Sequence, residues 1–133
     1  MTTREMSPKE IVETANRLLV AKRSLEAIEK YFAPDYVDHN PHTPGGNLAG
    51  MLQTLREHGF TEEAPNDRQY ELHIDHIVGE GDLVLIHQHI TEPGNPTLVF
   101  MDLFRVRDQR IVEHWDVIQT APDSPANSRV TMY

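Results

Sequence analysis

His114 and Asp116 lie two residues apart in the segment Arg110-Ile111-Val112-Glu113-His114-Trp115-Asp116-Val117-Ile118-Gln119. Read as a strand with a period of two, it sets Val112, His114, Asp116 and Ile118 on one face and Ile111, Glu113, Trp115 and Val117 on the other. The two polar side chains then stand roughly 7 Å apart on the same side. An imidazole and a carboxylate in an apolar row are costly to desolvate unless each finds a partner. Such a pair suits acid–base chemistry in a pocket. Asp102 sits in a comparable row, with Leu98, Phe100, Phe104 and Val106 sharing its face.

Whether Asp102 meets Asp116 depends on the link between the two strands. A two-residue turn at Asp108-Gln109 places Asp102 opposite Trp115. A three-residue loop ending at Arg110 places it opposite Asp116, with Phe104 opposite His114. Asp-Gln lacks the Asn-Gly or Asp-Gly signal of a tight hairpin turn, which favours the longer loop. In that register two carboxylates and an imidazole share one apolar pocket, a combination suited to a base and an acid working at neutral pH. The plainer reading is an Asp102 that bonds nearby backbone or Arg105.

Tyr36-Val37-Asp38-His39-Asn40-Pro41-His42 is a second cluster. Tyr36, His39 and Asn40 are residue types that hold a carbonyl or enolate oxygen by hydrogen bonds; a polar surface loop turning at Asn40-Pro41 is the alternative. The chain also carries eight histidines. His87 and His89 lie two apart on a strand, with His73 and His76 on the strand before. A zinc site there would need a third ligand such as His39 or Asp116. No compact motif such as His-Glu-x-x-His is present, and histidines on an outer sheet surface are the simpler reading.

These residues must be positioned by one domain of 133 residues, enough to bury a core. Ser7-Pro8-Lys9-Glu10 is a helix start with a capping box, followed by an apolar stripe of Ile11, Val12, Ala15, Leu18 and Leu19. Ser24 can cap a second helix through Leu25, Ile28 and Phe32, ended by Pro34. Asn47 precedes a third with Leu48, Met51, Leu52 and Leu55 on one face and Gly59 at its end. From about 69 the texture becomes strand-like: 69–78, 83–91, 98–106 and 110–119, joined by short links that make an antiparallel meander. Residues 120–133 read as a loose tail. Helices over about 8–58 and a sheet over about 69–119 predict an α+β domain with the helices closing over one sheet face.

Twelve basic against 21 acidic side chains give a net charge of −9, and residues 1–30 are nearly balanced, so the excess lies further on. That surface repels phosphate backbones and anionic lipid, arguing against nucleic-acid or membrane partners. There is no cysteine, so thiolate chemistry is excluded. No apolar run reaches the roughly 20 residues needed to span a bilayer, and Met1 to Lys9 lacks the apolar core of a signal peptide. A cytoplasmic protein is expected.

Tyr36-Val37-Asp38-His39-Asn40-Pro41, Asp82-Leu83-Val84-Leu85-Ile86-His87, Asp102-Leu103-Phe104-Arg105 and Glu113-His114-Trp115-Asp116-Val117-Ile118-Gln119 together resemble the SnoaL-like polyketide cyclases. These belong to the superfamily of nuclear transport factor two, ketosteroid isomerase and scytalone dehydratase. The resemblance runs from about Lys9 to Gln119. It implies a cone: a strongly curved antiparallel sheet wrapped around about three helices, with an apolar pocket open at one end. It further implies a homodimer through the outer sheet face, here with Ile111, Trp115 and Val117, and a reaction needing no metal or organic cofactor. In the cyclases an aspartate removes a proton alpha to a carbonyl and the enolate closes a ring. Carried over, Asp116 is the base, His114 supports it, and Asp102 and His39 join the catalytic group. Tyr36, Asn40, Phe100 and Phe104 would bind a small apolar carbonyl compound. Gln109 departs from the Gly common in related hairpins. The competing expectations are a non-catalytic binder of a small apolar ligand and a metal-assisted hydrolase on His39, His87 and His89.

Overall fold

The computed structural model describes residues 4–63 and 70–133. Helix α1 spans Pro8–Asn16, with the predicted capping box closed at both ends: Ser7 accepts from the Glu10 backbone N–H, and the Glu10 side chain accepts from that of Ser7. It continues as a π-helical turn, Arg17–Ala21. Helix α2, Glu26–Tyr31, is shorter than expected. Ser24 does not cap it in the usual way: the N-cap is Leu25, and the Ser24 hydroxyl donates to the carbonyl of Glu62 while accepting weakly from the Glu26 N–H. Helix α3 covers Leu48–Glu57 after a 3-10 turn at Pro44–Gly46, capped by Asn47 as its side chain predicts.

Pro34, expected to end the second helix, lies instead inside strand β1, Phe32–Asp38. The chain turns straight from α2 into this strand, and Pro34 is tolerated because β1 is the sheet edge and lies beside a register irregularity between Phe32 and Val37. The other four strands match expectation within a few residues: β2 Glu71–Glu80, β3 Leu83–Glu92, β4 Asn95–Arg107 and β5 Arg110–Thr120. Gln69, expected to open β2, lies outside the described residues. The order is β1-β5-β4-β3-β2, all antiparallel except β1, which runs parallel to β5. The sheet is therefore mixed and open. It is still the helices-over-a-curved-sheet α+β architecture predicted. Ile11, Val12 and Ala15 of α1, Ile28 of α2 and Met51 of α3 lie in the core with Tyr36, Val84, Ile86, Phe104 and Ile111 of the sheet.

The β4–β5 hairpin reaches the favoured register by a different route. Asp102 pairs with Asp116 and Phe104 with His114, yet Arg107 pairs with Arg110. The link is the tight two-residue turn, with both Asp108 (φ 51°) and Gln109 (φ 65°) left-handed, the type I′ signature. The extra residue comes instead from a bulge: Val106 pairs with Ile111 and Arg105 with Glu113, leaving Val112 between them. The bulge breaks the period of two, so Ile111 turns inward and is 1 % exposed. Ile111 is thus a core residue and no outer-face contact. Gln109 compensates its strained backbone by clamping Met6: its amide oxygen accepts from the Met6 N–H at 2.9 Å and its NH₂ donates to the Met6 carbonyl at 2.8 Å.

Candidate active site

Period-two alternation continues from β1 into the next residues, turning Tyr36, Asp38 and Asn40 inward and Val37 and His39 outward. Parallel pairing of Asp38 with His114 then brings the inward set against β5. His114 stands between two carboxylates: Nε2 is 2.9 Å from Asp102 Oδ1 and Nδ1 is 3.3 Å from Asp38 Oδ1. The ring stacks on Phe104 at 4.7 Å. Asp38 also accepts from the Tyr36 hydroxyl at 2.7 Å and from the Asn40 backbone N–H at 2.9 Å. The other oxygen of Asp102 accepts from Gln88 Nε2 at 2.9 Å, and Gln88 exchanges two hydrogen bonds with Asn16. Asp116 stands apart from this web. The Asn40 Nδ2 donates to its two oxygens at 3.0 and 3.1 Å.

Burial alone would push His114 down, but Asp102 and Asp38 more than offset it and raise the imidazole to about 9. It is an imidazolium at neutral pH, with both N–H groups donated. Burial pushes Asp38 up, yet the hydrogen bonds from His114, Tyr36 and the Asn40 backbone outweigh it and hold the carboxyl below its ordinary value. Tyr36 is raised by burial and by the Asp38 charge, so it stays a neutral donor. Asp116 moves the other way. Burial raises it, helped by the charges of Asp102 and Asp38, against the opposing pull of Asn40 and His114.

The cavity beside these groups has a volume of about 410 Å³, within the range of small-molecule sites. Its wall is mainly apolar, with Val12, Leu19, Met51, Phe100, Phe104 and Ile118 among the lining residues and Asp102, His114, Asp116, Asn40, Gln88 and Asn16 among the polar ones. Asp102, His114, Asp116, Tyr36, Asn40, Phe100 and Phe104 are therefore brought to one cavity, as the sequence predicts. His39 is not. It stacks on Trp115 at 4.7 Å and bonds Glu113 at 2.7 Å, away from the cavity wall. Tyr36 reaches the site, but its hydroxyl is spent on Asp38. Arg105, the plainer partner considered for Asp102, binds Glu113 and Asp82.

Asp38, Gln88 and Asn16 went unrecognised. Each had a signal: Asp38 follows Tyr36 by two, Gln88 is the polar member of the inward row Ile86-Gln88-Ile90, and Asn16 interrupts an apolar helix stripe. The histidines flanking Gln88 take the outer sheet face, as the simpler reading has it, and Gln88 the inner one. His87 and His89 lie opposite it: His87 bonds His76 and the Met132 carbonyl, while His89 bonds Asp75 and stacks on Tyr133. His39, His87 and His89 do not converge. Among the described residues the one group with metal-ligand proximity is Asp102, His114 and Asp116, with atoms within 4.8 Å of one another. Both ring nitrogens of His114 in that group are already hydrogen-bonded to carboxylates.

Residues 12–114 match the SnoaL-like domain. The chain belongs to the SnoaL-like family. Among solved structures, this SnoaL-like chain is similar to IdmH of Streptomyces antibioticus, a proposed polyketide cyclase, with 23 % identity over 86 % of this chain and 93 % of that one and a TM-score of 0.66. A proposed polyketide cyclase of Acidithiobacillus ferrooxidans shares 20 % identity over 88 % and 92 % of the two chains, with a TM-score of 0.65. A protein of Cytophaga hutchinsonii like nuclear transport factor two, of unknown function, shares 13 % over 90 % and 95 %, with a TM-score of 0.64. At these identities the likeness is one of fold. No curated protein matches the chain in sequence.

Proposed function

We propose that this SnoaL-like protein is a cofactor-free acid–base enzyme that removes a proton alpha to a carbonyl of a small apolar keto compound, for aldol-type cyclisation or isomerisation. One observation carries the reading: Asp116 is a half-buried carboxylate on the wall of an apolar cavity, raised above its ordinary value and, among the described residues, hydrogen-bonded to the neutral amide of Asn40 and not to a charged group. A raised carboxylate is a stronger base, and desolvation favours charge transfer from it. His114 has no lone pair to offer, and Asp38 and Asp102 are each hydrogen-bonded on both oxygens and share the His114 ring. Asp116 takes the Cα proton while the C–H electron pair moves into the carbonyl. The enolate carbon attacks a second carbonyl, whose alkoxide oxygen takes the proton back from Asp116; in an isomerisation Asp116 gives that same proton to a different carbon of the conjugated enolate.

Protein-catalysed exchange of the alpha protons of 2-tetralone in D₂O, followed by proton NMR, tests this without knowledge of the natural substrate. Asp116→Asn is expected to lower the exchange rate by roughly 100-fold or more while an apolar dye still binds the cavity. Full exchange activity in Asp116→Asn sinks the assignment. Absence of exchange in the wild type, with tight dye binding, turns the reading to a ligand-binding protein.

We also propose a homodimer through the outer sheet face. Leu85, Met101 and Val117 are 38 %, 46 % and 71 % exposed there, and Met101 and Val117 are direct cross-strand neighbours. A contiguous apolar strip of this kind is the usual sign of an interaction surface.

A further inference from the structure

The buried amides Asn16 and Gln88 lie at the cavity wall beside the catalytic group, are not hydrogen-bonded to Asp116, and have a geometry more specific than core packing requires. Gln88 is 2 % and Asn16 5 % exposed. The Asn16 NH₂ donates to the Gln88 oxygen at 2.7 Å, and the Gln88 NH₂ donates back at 3.1 Å and onward to Asp102 at 2.9 Å. A flipped Gln88 would turn its carbonyl on the Asp102 carboxylate and its NH₂ on that of Asn16. Only one orientation satisfies every group. In that orientation the hydrogen-bond chain has a direction: Asn16 orients Gln88, Gln88 occupies Oδ2 of Asp102, and Oδ1 is left facing the Nε2–H of His114. On the far side, Asp38 receives Nδ1–H, Tyr36 O–H and the Asn40 N–H.

We propose that Gln88, oriented by Asn16, is a positioning residue that locks the Asp102 carboxylate as a pure acceptor and so keeps His114 doubly protonated beside Asp116. The functional half of this rests on Asp116 being the base: a doubly donating His114 is a fixed positive charge that keeps Asp116 ionised between turnovers and cannot compete for the substrate proton. The chain crosses α1, β3, β4, β5 and β1, so it also ties the helix layer to the cavity wall.

Gln88→Met keeps the side-chain length and removes the amide; Asn16→Ala removes the orienting partner and leaves Gln88 in place. The readout is the proton and ¹⁵N NMR spectrum of histidine-labelled protein at pH 7, with 2-tetralone exchange measured alongside. In the wild type both His114 ring nitrogens are expected to be protonated and the Nε2–H slow to exchange. In Gln88→Met, exchange of Nε2–H should be roughly tenfold faster, the effect of freeing one buried carboxylate from a hydrogen bond. kcat should fall roughly tenfold or more at nearly constant KM. Asn16→Ala should move both in the same direction and less, and it decides the question if Gln88→Met does not fold. An unchanged Nε2–H signal and exchange rate in the folded variants overturns the positioning role. The spectrum needs no substrate, so a positive result there together with an active Asp116→Asn would leave the network standing and remove only the base.

Discussion

At the scale of single residues, His114 and Asp116 sit in one apolar row and both hold a proton more tightly when folded. Stability therefore falls with rising pH at each, at His114 by loss of a favourable charge and at Asp116 by gain of an unfavourable one. His114 rises from 6.5 to about 9 on folding. Its stabilising contribution is complete below 6.5, shrinks as the pH rises through the folded value, and is gone above it, a loss of about 3 kcal/mol. Urea unfolding at pH 6, 8 and 10 is expected to show this decline in the wild type and a flatter profile in His114→Gln; parallel profiles would contradict the ion pairs. Asp116 is raised for an acid, so its ionisation opposes folding and the penalty grows as the pH rises through its folded value. Asp116→Asn should therefore unfold at a higher temperature than the wild type at pH 7, the usual cost of a strained site. The odd polar pair was legible because alternation and side-chain type are local properties. His39 was misassigned for lack of that same test: once the segment is a strand, its neighbour positions decide which face it takes.

At the scale of elements, the caps at Ser7 and Asn47 followed local rules, whereas the Ser24 cap, the turn at Asp108-Gln109 and the bulge did not. Asn47 caps α3 by accepting from the Gly50 N–H at 2.9 Å, so Asn47→Ala should cost about 1 kcal/mol. Gly50 has a steric reason: a Cβ there would stand 1.6 Å from the Pro44 carbonyl oxygen. Gly50→Ala must push α3 off the preceding turn and should destabilise more than Asn47→Ala in the same urea titration; a smaller effect would mean that the turn yields. The Asp108-Gln109 turn shows why the favoured register was correct for an incorrect reason. Gln109 tolerates its left-handed backbone because its amide is clamped to Met6, 103 residues away, which no local turn rule contains. The bulge at Val112 then restores the facing of Asp102 and Asp116 that the tight turn would have destroyed.

At the scale of the whole molecule, the SnoaL-like fold closes helices over a sheet and leaves a cavity against β1, β4 and β5. None of the described helices is long and apolar enough to cross a membrane. If the exposed strip of Leu85, Met101 and Val117 is a self-contact, sedimentation equilibrium should give a dimer for the wild type and a monomer for Val117→Glu. Equal masses for the two would remove that surface from consideration. The sequence by itself determined the three helices followed by strands β2 to β5, and the placing of Asp102, His114 and Asp116 on one face among apolar neighbours. Each of these is set by side-chain period and type within a few residues. Tertiary structure alone decided that β1 docks parallel on β5 and that Gln88 and Asn16 meet. Those contacts join residues 76 and 72 apart, and they depend on which sheet edge β1 takes and how α1 lies across the sheet. Burial then converts that arrangement into chemistry, because only a desolvated His114 between two carboxylates is held charged and only a desolvated Asp116 becomes a stronger base.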